Sequence, residues 1–122
     1  MNKKTVIVGA STNPDRYAYL AAKRLKSNQI PFVPVGIKRG NVLGEEILDL
    51  REQPAVEGVD TITLYLNPRN QEMWEDYILN LQPKRIIFNP GTENERLRAK
   101  AENQGIDTEY ACTLVMLSAG VY

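Results

Sequence analysis

The chain has no histidine and a single cysteine, Cys112, among its 122 residues. Without an imidazole there is no Ser-His-Asp triad, no histidine acid–base step and no phosphohistidine. The same two facts exclude thiolate–imidazole zinc sites. A magnesium held by carboxylates survives the exclusion, but the sequence carries no motif for one. One cysteine forms no internal disulfide, which fits a reducing, cytoplasmic setting. No apolar run is long enough to span a bilayer, and Met1-Asn-Lys-Lys lacks the apolar stretch and cleavage site of a signal peptide. Net charge is absent too, since fifteen basic residues balance fifteen acidic ones. No global field draws the protein to nucleic acid or a membrane, although a local basic site can still exist. What is present is ordinary for a folded protein: 43% hydrophobic and 25% charged residues, in a length that suits one domain with a real core.

The run Thr5-Val-Ile-Val closes on Gly9 and reads as a strand buried on both faces. A helix fits 15–27, where Ala18, Ala22 and Leu25 form a small-residue stripe able to lie flat on a sheet. Lys23, Arg24 and Lys26 complement its C-terminal dipole. Residues 32–35 form a second strand, 36–44 a glycine-bearing basic loop, and 45–50 fits a short strand or one helical turn equally well. Strands are expected over 60–66, 84–88 and 106–110. Asn67 as N-cap with Pro68 at the first helical position opens a helix to Leu81, with Met73, Tyr77 and Leu81 spaced by four. Trp74 and Ile78 widen that apolar stripe. Thr92-x-x-Glu95 is a capping box for a helix to Asn103, with Gly105 as its stop, and 113–119 is a short apolar helix. This alternation predicts one α/β domain over 1–122. It is three-layered, Rossmann-like and doubly wound, with five parallel strands in the order 3-2-1-4-5 and helices on both faces. Asn-Pro pairs at 13–14, 67–68 and 89–90 then share one edge, where open α/β sheets bind ligands.

The first turn, Gly9-Ala-Ser11, keeps one glycine of the G-x-G-x-x-G pattern, and Ser11 and Pro14 replace the others. A tight turn at Gly9, free amides from Gly9 to Asn13 and a helix N-terminus suit a diphosphate. The hydroxyls of Ser11 and Thr12 add donors, and Arg16 or Tyr17 could reach the same anion. The alternative is a plain βα connection capped by Asn13. Lys38 and Arg39 come where the second strand of a dinucleotide-binding unit releases its ribose-reading carboxylate. Positive charge there matches a ribose phosphate, as in NADP or the 3′-phosphorylated ADP of coenzyme A; two solvated loop charges are the alternative. Cys112, among apolar neighbours, reads as a buried inert thiol. Trp74 and Tyr77 read as core, and the acidic pairs Glu45-Glu46 and Glu75-Asp76 as solvated surface.

Several stretches together carry a resemblance: Val8-Gly-Ala-Ser with Pro14 and Arg16, Val33-Pro-Val-Gly with Leu43-Gly-Glu45, the strand over 60–66, Asn89-Pro-Gly91 with Asn94, and Cys112 after the last strand. In these the chain resembles the small single-domain coenzyme A-binding proteins of Rossmann type, akin to the nucleotide-binding part of the succinyl-CoA synthetase α subunit. The likeness covers nearly the whole chain. It implies that Gly9, Ala10 and Ser11, with Arg16 nearby, hold the diphosphate. It also implies that the loop from Gly36 through Lys38 to Arg39 faces the adenosine 3′-phosphate. Asn67 and Pro68, and the turn from Asn89 to Gly91, would wall a crevice for adenine or pantetheine. The chain departs from the family where Gly36-Ile-Lys-Arg replaces Asn-Pro, and where Phe88-Asn-Pro-Gly stands in place of the more usual Trp and Gln. The synthetase's phosphohistidine step is excluded, and no complete catalytic constellation is present. The expected function is therefore non-catalytic binding of coenzyme A or a short acyl-CoA. The alternatives are an NADP-binding, reductase-like protein, with Tyr110 as the conceivable proton donor, or a nucleotide-free interaction domain. A homodimer, if one forms, would use the Trp74 helix or the C-terminal tail, for their aromatic and apolar content.

Overall fold

The structure is a computed structural model that describes residues 3–122, so Met1 and Asn2 of the N-terminal stretch read above lie outside the described residues. In chain order the elements begin with β1 (Thr5–Val8), α1 (Tyr17–Ser27) and β2 (Phe32–Gly36). A small antiparallel hairpin, β3 (Asn41–Val42) with β4 (Glu45–Glu46), leads to β5 (Leu48–Asp49) and a 3-10 turn at Leu50–Glu52. Then come β6 (Thr61–Leu64), α2 (Pro68–Gln71), a 3-10 turn at Glu72–Trp74, α3 (Glu75–Asn80), β7 (Arg85–Phe88), α4 (Glu95–Asn103), β8 (Asp107–Tyr110) and α5 (Thr113–Ala119).

Six of the strands form one parallel sheet in the order β5-β2-β1-β6-β7-β8. The class is as expected; the five-strand order 3-2-1-4-5 is not. The strand expected over 60–66 pairs with β1, in the register Val6↔Ile62 and Val8↔Leu64, instead of lying outside β2. The two-residue β5 takes that outer place, so the segment 45–50 supplies strand pairing first and a helical turn straight after. Burial explains the difference. All four residues of β6 are buried, which suits the sheet interior, whereas the half-buried Leu48 and Asp49 suit an edge. The reversal of strand order therefore falls before β6 and not after it.

Alternation along each strand divides the core. Val6, Val8, Ile62, Leu64, Ile86 and Phe88 face Ile78, Leu97 and Ala101 of α3 and α4. Ile7 and Ile87 face Ala18, Ala22 and Leu25 of α1 and Met116 of α5, so the small-residue stripe lies on the sheet as the sequence predicts. The helix expected over 67–81 is broken into α2, a 3-10 turn and α3. Polar Gln71 and Glu75 turn inward while Met73 is 74% exposed, which shifts the face read from the spacing of Met73, Tyr77 and Leu81. The start of α4 also differs. Asn94 caps it, Oδ1 accepting from the Leu97 amide at 3.2 Å, while the Thr92 hydroxyl donates to the Asn89 carbonyl at 2.8 Å. The end of α4 is as expected: Gly105 has φ +80°, and the Ile106 amide reaches back to the Ala101 carbonyl at 3.0 Å. Among the described residues no helix is long and apolar enough to cross a membrane.

Candidate functional site: a crevice at the carboxyl edge of the sheet

The carboxyl ends of β1, β2, β6 and β7 open into a crevice of about 520 Å³. It spans β1 and β6, the place where strand order reverses and where open α/β sheets take their ligands. Depressions of 470 and 550 Å³ lie at the opposite edge, around Leu81 and Gln82 after α3 and around Gly105 after α4. Both lie at helix C-termini, where the dipole disfavours phosphate.

One wall is the first turn. Gly9 adopts φ +96°, and a Cβ there would come within 3.0 Å of the Tyr65 carbonyl carbon and 3.2 Å of Leu66 Cδ2. Glycine is required because the turn packs directly on the backbone that follows β6. The amides of Gly9 and Ala10 both donate to the Val35 carbonyl, at 2.9 and 3.0 Å, and the Asn13 amide donates to Ser11 Oγ at 3.0 Å. The amides open to a ligand are thus fewer than the expected run from Gly9 to Asn13. Those of Ser11 and Thr12 have no protein acceptor among the described residues. Asn13 makes a local turn, Oδ1 accepting from the Asp15 amide at 3.0 Å, and α1 begins after Arg16.

The segment after β2 folds onto this turn. A Cβ at Gly36 would sit 2.8 Å from the Ala10 carbonyl oxygen, and one at Gly40 2.4 Å from Thr12 Cγ2. That close approach brings Ile37 and Lys38 into the crevice lining together with Arg16 and Tyr17. Arg16 and Lys38 are both exposed, and no lining side chain is acidic. In a chain of zero net charge, the crevice is a local concentration of positive charge.

Of the residues singled out from the sequence, Gly9, Ala10, Ser11, Arg16, Gly36, Lys38, Asn67 and Gly91 line the crevice. Arg39, Pro68 and Asn89 stand outside the lining. Arg39 is exposed on the Asp49 side. The Asp49 carboxyl is held below its ordinary range mainly by hydrogen bonds from Arg51, with a smaller pull from Arg39. Pro68 starts α2 beneath the Asn67 cap, whose Oδ1 accepts from the Asn70 amide at 2.9 Å. Asn89 is buried and fully engaged inside the protein. Its Nδ2 donates to Thr63 Oγ1 at 2.8 Å and to the Leu64 carbonyl at 3.0 Å, and its Oδ1 accepts from the Thr113 amide at 2.9 Å.

The sequence reading passed over Tyr65 as a site residue. It lines the crevice, and burial pushes its phenol up to about 12 against the opposing pull of the Thr63 and Thr113 side chains. The hydroxyl therefore stays protonated at neutral pH. A signal was available in Thr61-Ile-Thr-Leu-Tyr65, where polar residues alternate with the apolar Ile62 and Leu64. Tyr110, the donor conceived for a reductase, sits on edge strand β8 with its hydroxyl on Glu95 Oε1, away from the crevice. Cys112 is half-buried ahead of α5, not fully buried as expected. Tyr77 is core and Trp74 packs partly against it, as expected. Glu75 is not solvated surface: it is 3% exposed and held by Arg96 at 2.9 Å and Lys100 at 3.2 Å.

A Rossmann-like α/β protein with an acid-free crevice at its strand-order reversal is defined by this geometry. The chain belongs to the CoA binding domain family, which matches residues 3–118. Among solved structures it is similar to an uncharacterised protein at 56% identity and TM-score 0.96, over 100% of this chain and 99% of that one. It is also similar to a conserved hypothetical protein from Pyrococcus furiosus, at 28% identity and TM-score 0.73 over 87% and 90% of the two chains. A Thermus thermophilus protein at 21% identity shares the fold, with TM-score 0.84 over 99% and 91%. No curated protein is significantly similar.

Proposed function

We propose that the protein binds coenzyme A, free or carrying a short acyl group, in this crevice and catalyses no reaction on it. The observation that carries the reading is the pair of unengaged amides at Ser11 and Thr12, flanked by Arg16 and Lys38 where no carboxylate opposes an anion. The diphosphate sits on those amides in the turn ahead of α1, with Arg16 at the helix N-cap as its cation. Lys38 meets the adenosine 3′-phosphate. Membership of the CoA binding domain family supports coenzyme A over NADP. The position of Tyr110 away from the crevice weakens the reductase alternative.

The test is calorimetric titration with coenzyme A, 3′-dephospho-coenzyme A, NADP and NAD. Wild type should favour coenzyme A over the dephospho form by about tenfold, the worth of one charge-assisted contact trimmed by solvent screening. Lys38→Ala should abolish that preference and keep dephospho-coenzyme A binding. Arg39→Ala, outside the lining, should keep both. Equal wild-type affinity for the two forms returns Lys38 to the solvated surface. Tighter binding of NADP than of coenzyme A replaces the reading with the dinucleotide one.

A further inference from the structure

Opposite Lys38, the far wall of the crevice is formed by the turns after β6 and β7, represented by Leu66 and Thr92. These two turns belong to different βα units, and a buried side chain joins them. Gln71 in α2 is 0% exposed, and its Nε2 donates both hydrogens, to the Leu66 carbonyl at 2.7 Å and to the Thr92 carbonyl at 2.8 Å. Its Oε1 accepts from Asn94 Nδ2 at 2.9 Å. Asn94 Nδ2 also donates to Glu75 Oε2 at 3.2 Å, and Glu75 is gripped by Arg96 and Lys100 of α4. The path therefore runs from the backbone carbonyls of two crevice-lining residues through one buried amide to an ion cluster between α3 and α4.

We infer that Gln71 is a positioning residue that sets the separation of the Leu66 and Thr92 turns, and thereby the fit of the ligand arm lying beyond the diphosphate. This rests on the coenzyme A reading above. With the 3′-phosphate at Lys38 and the diphosphate at Ser11 and Thr12, the crevice continues toward β6 and β7, so the pantetheine arm lies along this wall. The residues assigned to the 3′-phosphate follow β2, on the other side of β1 from this wall. An amide is suited to the task because two convergent carbonyls need two donors on one atom. Neither a carboxylate nor an apolar side chain supplies them.

The experiment compares coenzyme A with adenosine 3′,5′-bisphosphate, which ends at its 5′-phosphate and has no arm. Gln71→Met keeps the length and volume of the side chain and removes its donors. It should weaken coenzyme A binding by about tenfold while changing the bisphosphate affinity by less than about twofold. Should Gln71→Met fail to fold by circular dichroism, Asn94→Ser carries the test. It retains an oxygen to cap α4 but cuts the link to Gln71, and should produce a smaller loss in the same direction. A variant that loses both ligands equally, or neither, overturns the positioning role and leaves the coenzyme A reading standing. So does a wild type that binds the bisphosphate as tightly as coenzyme A. A wild type that binds neither ligand overturns the coenzyme A reading, and the positioning role with it.

Discussion

Gly9 and Gly91 both line the crevice and both adopt a positive φ, +96° and +92°, yet for different reasons. At Gly91 a Cβ would meet nothing within 4 Å, whereas at Gly9 it would press on the backbone of Tyr65. The obvious sequence-level experiment, Gly9→Val to remove ligand binding with little structural change, is accordingly a test of packing first. Gly9→Val should lower stability by about 2–4 kcal/mol, combining left-handed strain with a backbone clash. Gly91→Ala should cost about 1 kcal/mol, from φ alone. Urea denaturation followed by circular dichroism measures both. Equal losses would mean that the Tyr65 contact has no energetic weight.

Glu75 of α3 is tied to α4 by Arg96 and Lys100. Burial on its own would raise the Glu75 carboxyl, but hydrogen bonds from Arg96, Asn94 and Lys100 together outweigh it and hold the group below its ordinary value of 4.5. The sign follows from proton linkage. A carboxyl with a depressed folded-state pKa binds fewer protons folded than unfolded, so its contribution is complete above the unfolded value. It is lost as pH falls through the lower folded-state value. Glu75→Gln should cost about 1–2 kcal/mol at neutral pH, a modest figure because Arg96 and Lys100 are about half exposed. The difference between wild type and variant should shrink as pH is lowered from about 6 to about 3. Urea midpoints across that range measure it, and a constant difference would show that the charge of Glu75 is not what joins the two helices. Sequence periodicity did not reveal this cluster. Adjacent acids on a helix usually diverge into solvent, and here one diverges while the other is captured by a helix 20 residues further on.

In the whole sheet, β1 and β6 are paired on both sides, whereas β5 and β8 lie at the edges. Amide exchange should follow that order, slowest at Val6–Val8 and 62–64, and fastest at Leu48 and in the β3–β4 hairpin. The edge strand β8 is half-exposed and carries Asp107 and Glu109, charges that discourage pairing with another chain. Its amides should therefore exchange clearly faster than those of β7, read by hydrogen–deuterium exchange with mass spectrometry or NMR. Protection of β8 equal to that of β1 would indicate a second copy on that edge. That outcome would move the dimer contact away from the Trp74 helix and the C-terminal tail.

The alternation of apolar runs with amphipathic segments by itself determined the α/β class, the parallel sheet, the helix over Thr113–Ala119 and the edge at which the Asn-Pro turns gather. These follow from local periodicity and turn chemistry, which a linear chain displays in full. It also marked Gly9, Ser11, Arg16 and Lys38, because a glycine turn and a cationic strand end are local features. Strand order was decided only in three dimensions. Whether residues 60–66 sit beside β1 or outside β2 depends on which edge a two-residue segment, Leu48–Asp49, can cover, and so short a segment leaves almost no periodic trace. The occupation of the Gly9 and Ala10 amides by the Val35 carbonyl, the burial of Asn89 among Thr63, Leu64 and Thr113, and the joining of Leu66 to Thr92 by Gln71 are likewise tertiary. Each depends on a hydrogen-bond partner 21 or more residues away, and the sequence around a polar side chain does not say which distant carbonyl will meet it.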